Sequence, residues 1–259
     1  MTAADALSAA VDALTAAGCE TPRLDAELLI ADALGVAREA LVLDPALPIP
    51  PPASRLLSQR IRRRVAREPV AYILGRKGFR RIEVAVDSRV LIPRPETELL
   101  VEVALELPAG ARVHEVGTGS GAVALALRDE RPDLAVSASD ASPGAVEVAR
   151  ANGLPDAFVH DGLPGGEFDL VVANLPYVRE DEWDSLAPEI RLYEPRFALV
   201  SGADGLDAIR SLVGGAPSGT RLALEHAPDQ AATVAGLLRD ARTLPDLAGH
   251  ARVTVGTAP

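Results

Sequence analysis

Two short segments concentrate the residues with chemistry to offer. Glu115-Val-Gly117-Thr118-Gly119-Ser120-Gly121-Ala122 sets an acid before three alternating glycines, and Asp140 follows 19 residues beyond Gly121. Glycine lets a backbone turn tightly and approach a ligand that a side chain would block. A helix that starts after such a loop adds unpaired N–H groups. Asp140 can accept both hydroxyls of a ribose. The combination suits a nucleoside cofactor without choosing one. Gly117, Gly119 and Ala122 also satisfy the dinucleotide fingerprint, whose third position admits alanine. A plain structural glycine turn is the remaining alternative.

The second segment is Asn174-Leu175-Pro176-Tyr177, directly after the apolar run Phe168-Asp-Leu-Val-Val-Ala173. An amide or aromatic-amine nitrogen attacks poorly because its lone pair is delocalised. A site can help by accepting both N–H hydrogens while aiming the nitrogen at an electrophilic methyl group. The Asn174 side-chain oxygen supplies one acceptor and the carbonyl of Leu175 the other. Pro176 stiffens the loop, and Tyr177 offers a ring face to a planar or cationic group. Positioning and electrostatics would then carry the rate, with no strong base. His114 and His160 flank these segments and read as structural. Glu225-His226 ends a strand on the same side and reads as packing. The tetrapeptide alone is also compatible with an ordinary strand-to-loop turn.

The elements that must position these residues follow from periodicity. Helical spacing over residues 3–17 stops at Gly18, and a second helix opens at Thr21-Pro22 and closes at Gly35. A short helix near Ala37–Leu43, the proline-rich turn Asp44–Pro52 and a helix over Ala53–Arg67 complete a small all-helical domain, residues 1–75. Period-two alternation in Phe79–Val86 and Arg89–Ile92, around Asp87-Ser88, predicts a β-hairpin linker over 76–95. From 96 to 259, strands at Ala111–Val116, Leu134–Ser139, Ala157–His160, Phe168–Ala173, Arg221–Glu225 and Arg252–Val255 alternate with helices. The helices fall at Val101–Leu107, Val123–Arg128, Ala145–Asn152, Leu206–Val213 and Ala231–Asp240. That order predicts an α/β fold, a parallel sheet with the ligand at its switch point.

Composition excludes several classes. The 259 residues are 48% hydrophobic, enough to bury a core, and carry a net charge of −11. Residues 91–259 hold 26 acids against 13 bases, which argues against a grip on a nucleic-acid backbone. Arg55–Arg67 is the basic exception, either a solvated helix face or a docking surface. One cysteine, Cys19, and four scattered histidines give no metal centre. No apolar run reaches the roughly 20 residues a membrane span needs. The first residues carry acids and no basic n-region, so no signal peptide is expected. A cytoplasmic monomer is expected.

The glycine loop resembles the first motif of class I S-adenosylmethionine-dependent methyltransferases, in which the loop acid sits near the methionine ammonium. Asn174–Tyr177 resembles the (Asn/Asp)-Pro-Pro-(Tyr/Phe) motif of amino-methyltransferases, with Leu175 in place of the first proline. Further stretches resemble one family closely. They are Arg67-Glu-Pro-Val-Ala-Tyr-Ile-Leu-Gly75, Leu91-Ile-Pro-Arg-Pro-Glu-Thr-Glu98, Tyr193-Glu-Pro-Arg196, Leu199 to Gly205 and Asp246 to Arg252. The chain is similar over nearly its whole length to the HemK/PrmC family, which methylates the glutamine of the Gly-Gly-Gln motif in peptide chain release factors.

The resemblance implies a Rossmann-like class I methyltransferase sheet behind a helical substrate-docking domain and a hairpin. It implies S-adenosylmethionine as cofactor, held by Glu115, Gly117, Thr118, Gly119, Ser120, Gly121, Asp140, Asp161, Gly162 and Asn174. It implies that Asn174, Leu175, Pro176 and Tyr177 hold the glutamine amide, that Asn174 and Tyr177 are catalytic, and that Arg94 lines the entrance. A release factor is the implied protein partner. Three readings stay open beside it: an amino-methyltransferase for another protein or a nucleic-acid base; a nicotinamide oxidoreductase, which would leave Asn174–Tyr177 unexplained; and a cofactor-binding paralogue that has lost activity or changed its protein substrate, which Leu175 keeps open.

Overall fold

The computed structural model describes residues 1–259. Five helices open the chain: α1 (Ala3–Ala16), α2 (Pro22–Leu34), α3 (Arg38–Leu43), α4 (Pro51–Val65) and α5 (Val70–Leu74). A hairpin follows, β1 (Arg76–Phe79) and β2 (Ile82–Ala85). Next come α6 (Glu98–Leu105), β3 (Arg112–Val116), α7 (Ala122–Glu130), β4 (Ala135–Asp140), α8 (Pro143–Ala151), β5 (Phe158–Val159) and β6 (Leu170–Ala173). The chain ends with α9 (Pro188–Tyr193), α10 (Asp207–Gly215), β7 (Arg221–Glu225), α11 (Ala231–Gly236), β8 (Arg239–Pro245) and β9 (Ala251–Thr257). Two compact units result: residues 1–75 with 187–193, and residues 76–186 with 194–259. No helix is long and apolar enough to cross a membrane.

In the helical unit, local chemistry sets the boundaries. Thr2 and Asp5 form a reciprocal capping box at the start of α1. Pro22 opens α2, and Gly35 closes it at φ +67°. Ala3, Ala6, Leu29, Ile30, Leu41, Ala53, Leu57 and Ile73 form its apolar centre. The arginine-rich stretch is only partly a solvated face. Arg60 pairs with Asp32, and Arg63 with Glu68. Arg64 donates to Asp25 at 2.7 Å and to Glu189 at 2.8 Å, and Arg67 donates twice to Glu189, each at 2.7 Å. Arg55 and Arg62 remain exposed.

Burial alone would push the Glu189 carboxyl up. Hydrogen bonds from Arg67, a backbone N–H and Arg64 outweigh it and bring it down to about 2. A carboxyl lowered by folding adds stability that is complete above its unfolded value and is lost as pH falls from about 4.5 towards 2. Glu189→Gln is therefore expected to remove on the order of 3 kcal/mol at pH 7. Thermal melts at pH 7 and about pH 3 check this: the variant's deficit should shrink at the lower pH.

In the second unit, the hairpin sits earlier than the alternation suggested. Its turn is Arg80-Arg81, with Arg80 at φ +49°, its N–H donating to Glu98 and its guanidinium to Glu130. Asp87 instead folds back onto the N–H of Arg89, so 89–92 runs on as a loop. Helix α11 likewise stops at Gly236, where the apolar periodicity predicted helix to 240. The next segment is β8, an edge strand whose residues are nearly all exposed and so show no apolar alternation.

The main sheet has the order β5-β4-β3-β6-β7-β9-β8. Strand β3 lies parallel to β4 and β6, and β6 parallel to β7; β9 runs antiparallel to both β7 and β8. Strand β6 reads as a continuous apolar run because both its faces are covered, and β3 is buried from Val113 to Val116 although it carries His114 and Glu115. Leu206, Ile209, Leu212 and Val213 around α10 pack with Val171, Ala173, Leu222 and Leu224 of β6 and β7. Chain order reverses between β3 and β6. In open α/β sheets the ligand crevice lies beyond the carboxyl ends of the strands at that point.

Candidate functional site

A cavity of about 330 Å³ opens there. Glu115 to Ser120 form its floor, with Asp140 to Ser142 beside them and His160, Asp161 and Gly162 at one edge. Asn174, Leu175 and Pro176 come from the loop after β6. Arg89, Val90, Leu91, Pro93 and Thr97 come from the segment before α6, and Phe197, Ala198, Ala208, Ser211 and Leu212 close the far side. Two segments far apart in sequence thus meet on one cavity.

The glycine loop is held largely by its own N–H groups. Gly117 and Thr118 donate to the Ser139 carbonyl, Gly121 donates to the Thr118 carbonyl, and Gly119 donates to Asp140 at 2.9 Å. Four of the five N–H groups from Gly117 to Gly121 are therefore engaged within the protein. A pyrophosphate, which a dinucleotide loop holds through free N–H groups, would find these occupied and would face two carboxylates.

Those carboxylates define the electrostatics. Glu115 accepts from the Thr118 hydroxyl at 2.7 Å and from the Ala124 N–H at 3.0 Å. Burial, with the Asp140 charge adding, still pushes it up to about 8. Burial also raises Asp140, against the N–H groups of Ser142 and Gly119. Two buried acids that ionise more readily beside a positive charge favour a cationic ligand over an anionic one. The residues present therefore fit a ribose-bearing cation and disfavour a dinucleotide.

Not every expected residue touches the cavity. Gly121 sits at φ +85° as the cap of α7, where a Cβ would press on Leu154, so its place is one of packing. Thr118 lines the floor but spends its hydroxyl on Glu115. Tyr177 stands outside the main cavity, lining an adjoining recess of about 30 Å³ with Arg94. Its hydroxyl donates to Glu225 at 3.2 Å. Arg94 is paired with the buried Glu194 at 2.5 Å.

Asn174 donates through Nδ2 to Thr97 Oγ1 at 2.9 Å, which leaves its Oδ1 free. His160 edges the cavity, whereas His114 is buried, bridges Ser137 and Ser139, and is held neutral, pushed down to about 4 by burial. Sequence reasoning did not find Thr97, Val90 or Phe197 at the site; only the Leu91–Glu98 signature pointed near them.

Curated relatives resemble the chain end to end. A release factor glutamine methyltransferase of Xylella fastidiosa is 41% identical over 269 residues, covering 95% of this chain and 98% of its own length. One of Cereibacter sphaeroides is 41% identical, covering 100% and 99%, and one of Caulobacter vibrioides is 39% identical, covering 99% and 96%. Sheet order, glycine loop and anionic cavity define a class I methyltransferase domain. Residues 5–75 match the family model of the PrmC N-terminal domain and residues 95–191 that of the methyltransferase small domain. The chain belongs to the release factor glutamine methyltransferase family.

Proposed function

We propose that the chain transfers the methyl group of S-adenosylmethionine to the side-chain amide nitrogen (N5) of the glutamine in the Gly-Gly-Gln motif of peptide chain release factors. The observation that carries this reading is the Asn174 amide. It stands on the cavity wall with its nitrogen tied to Thr97, so its oxygen is left to accept from an incoming amide N–H. Bound in the cavity, the cofactor supplies a sulfonium-activated methyl group.

The chain's own residues do the rest. Glu115 takes the ammonium, Asp140 the ribose hydroxyls, and Asp161 with Gly162 the adenine edge. Asn174 Oδ1 and the Leu175 carbonyl accept the two N–H hydrogens of the glutamine amide. They align the nitrogen lone pair with the methyl carbon and increase electron density on nitrogen as the new N–C bond forms and the sulfonium S–C bond breaks, its electron pair leaving with a neutral thioether. One N–H proton leaves to solvent, so the product is a neutral secondary amide. A backbone carbonyl serves at residue 175 as well from leucine as from proline. The acid excess of residues 91–259 favours a protein acceptor over nucleic acid. One copy of the chain suffices, since every residue named here comes from one compact unit.

The test is peptide mass spectrometry of a release factor incubated with the protein and S-adenosylmethionine. One added methyl on the Gly-Gly-Gln glutamine is expected. No added methyl despite measured cofactor binding would overturn the substrate assignment.

The raised Glu115 carboxyl also sets a pH dependence. Below about 8 the free protein holds a proton there. Because folding raises this carboxyl above its unfolded value near 4.5, its ionisation costs stability increasingly as pH climbs from 4.5 to 8. A bound ammonium reverses that preference and expels the proton. Cofactor affinity is therefore expected to rise with pH up to about 8, by at most about tenfold per pH unit, and then level off. Calorimetry at pH ~7 in buffers of differing ionisation heat should show close to one proton released, and Glu115→Gln should show none.

A further inference from the structure

We infer that Glu194 is a positioning residue for the methyl acceptor: its carboxylate clips the Ile92–Arg94 segment to the Pro195–Leu199 turn and so holds the recess beside Asn174 in shape. The inference rests on the reading of Asn174 given above.

Two segments that stood out in the sequence, Leu91–Glu98 and Tyr193–Arg196, meet here. Glu194 is the first residue after 187–193, which belong to the helical unit, and its side chain is only 2% exposed. A carboxylate buried to that degree needs donors on its oxygens. Oε2 accepts from the Ile92 N–H at 3.1 Å, and Oε1 from Arg94 Nη2 at 2.5 Å. Arg94 Nη1 turns back onto the Ile92 carbonyl at 3.0 Å. Both backbone groups of Ile92 are thus engaged, and one guanidinium fork spans its carbonyl and the carboxylate together.

Three stretches of chain bound the recess: Leu91 with Arg94, Asn174 onwards to Val178, and Ala198 with Leu199. They are fastened to one another in turn. Asn174 donates to Thr97, which ties the second stretch to the first. The Val178 N–H donates to the Leu199 carbonyl at 2.8 Å, and the Val178 carbonyl accepts from the Ser201 N–H at 3.0 Å, which ties the second to the third. Glu194 ties the third back to the first. The turn after it is set by the Ala198 N–H on the Pro195 carbonyl and the Leu199 N–H on the Arg196 carbonyl, so the clip passes directly to the recess wall.

Methyl transfer is an in-line displacement, so the acceptor nitrogen meets the methyl carbon on the side away from sulfur. The recess shares Asn174 and Leu175 with the main cavity but includes neither Glu115 to Ser120 nor Asp140. It is therefore the acceptor's side, and the ring that Glu194 closes sets the path of the amide to its two acceptors.

Glu194→Gln tests this. The amide keeps one acceptor oxygen but turns an N–H onto either the Ile92 N–H or Arg94, so one arm of the clip becomes donor against donor. With saturating cofactor, kcat for release-factor methylation should fall roughly 30-fold or more, and cofactor Kd should stay within about threefold. A merely stabilising role would lower the melting temperature and leave kcat unchanged well below it. Arg94→Lys, which keeps the charge but not the fork, carries the same test should Glu194→Gln not fold, and kcat should fall at least about tenfold.

Hydrogen exchange followed by mass spectrometry gives a readout free of any substrate. Peptides covering Ile92 and Val178 should exchange at least about tenfold faster in either variant, and those covering Gly117 to Gly121 should be unchanged. Unchanged exchange at Ile92 and Val178 in a folded variant overturns the inference, and so does faster exchange with kcat within about threefold of wild type. If wild type leaves the release factor unmethylated, the substrate assignment falls, and exchange at Ile92 and Val178 alone decides the clip.

Discussion

Alanine at position 174 is expected to lower the turnover of release-factor methylation by roughly 10³-fold while cofactor affinity changes less than about threefold. The substitution removes the acceptor for one glutamine N–H, and that hydrogen is left unpaired in a closed site. It also removes the partner of the Thr97 hydroxyl. Neither loss touches Glu115 or Asp140, the residues proposed for the cofactor's ammonium and ribose. Single-turnover methylation measured beside equilibrium cofactor binding separates the two effects. Turnover within about tenfold of wild type would show that the Leu175 carbonyl alone can orient the amide, and the mechanism would need another acceptor.

The second large effect is expected from a residue with no functional group. Gly205 sits at φ +76°, and a Cβ built on it would overlap the Tyr177 carbonyl oxygen and come within 2.6 Å of Gln230 Nε2. Gln230 is the clamp here, donating to the Tyr177 carbonyl at 2.8 Å and to the Asp204 carbonyl at 3.1 Å. Gly205→Ala therefore adds backbone strain and displaces the far end of the Asn174–Tyr177 loop.

A loss of about 2–3 kcal/mol of stability is expected from the strain and clash together. A loop shifted by even ~1 Å can cost about 10² in kcat. Gly219, at φ +86°, is the matched control, since an added Cβ there would meet nothing within 4 Å. Gly219→Ala should cost only the backbone preference, about 1–2 kcal/mol, with kcat unchanged. Equal effects at the two positions would mean that φ alone matters and the clamp does not.

The legible parts of this site were the local ones. Three alternating glycines, an acid at the next strand end and a tetrapeptide after a buried strand each lie within a few residues, so spacing alone exposes them. The partner of Asn174 lies elsewhere in the chain: Thr97 is 77 residues away and joins it by one side-chain contact. Glu225 read as packing at a strand end, because nothing near it in sequence shows that its carboxyl is buried and accepts from Tyr177. The place of Tyr177 beside the cavity was hidden for a similar reason. Its hydroxyl is drawn to Glu225, 48 residues on, and this turns the ring to the adjoining recess.

The fold divided in the same way. Buried parallel strands and capped helices announced themselves, and the exposed edge strand β8 did not. The hairpin slipped because Asp87-Ser88 has turn chemistry that the chain uses for a loop, while the tighter turn is made by two arginines.

The order of the sheet has a consequence for synthesis. Strand β9 follows β8 in sequence, yet it occupies the slot between β7 and β8: Val253 pairs with Glu225, and the Arg252 carbonyl receives the N–H of His226. While only the residues before 251 have been delivered, β7 presents an open flank, and the Glu225 carboxyl that receives the Tyr177 hydroxyl hangs from an unzipped strand. That flank stays a sticky edge until residues 251–257 thread between β7 and β8.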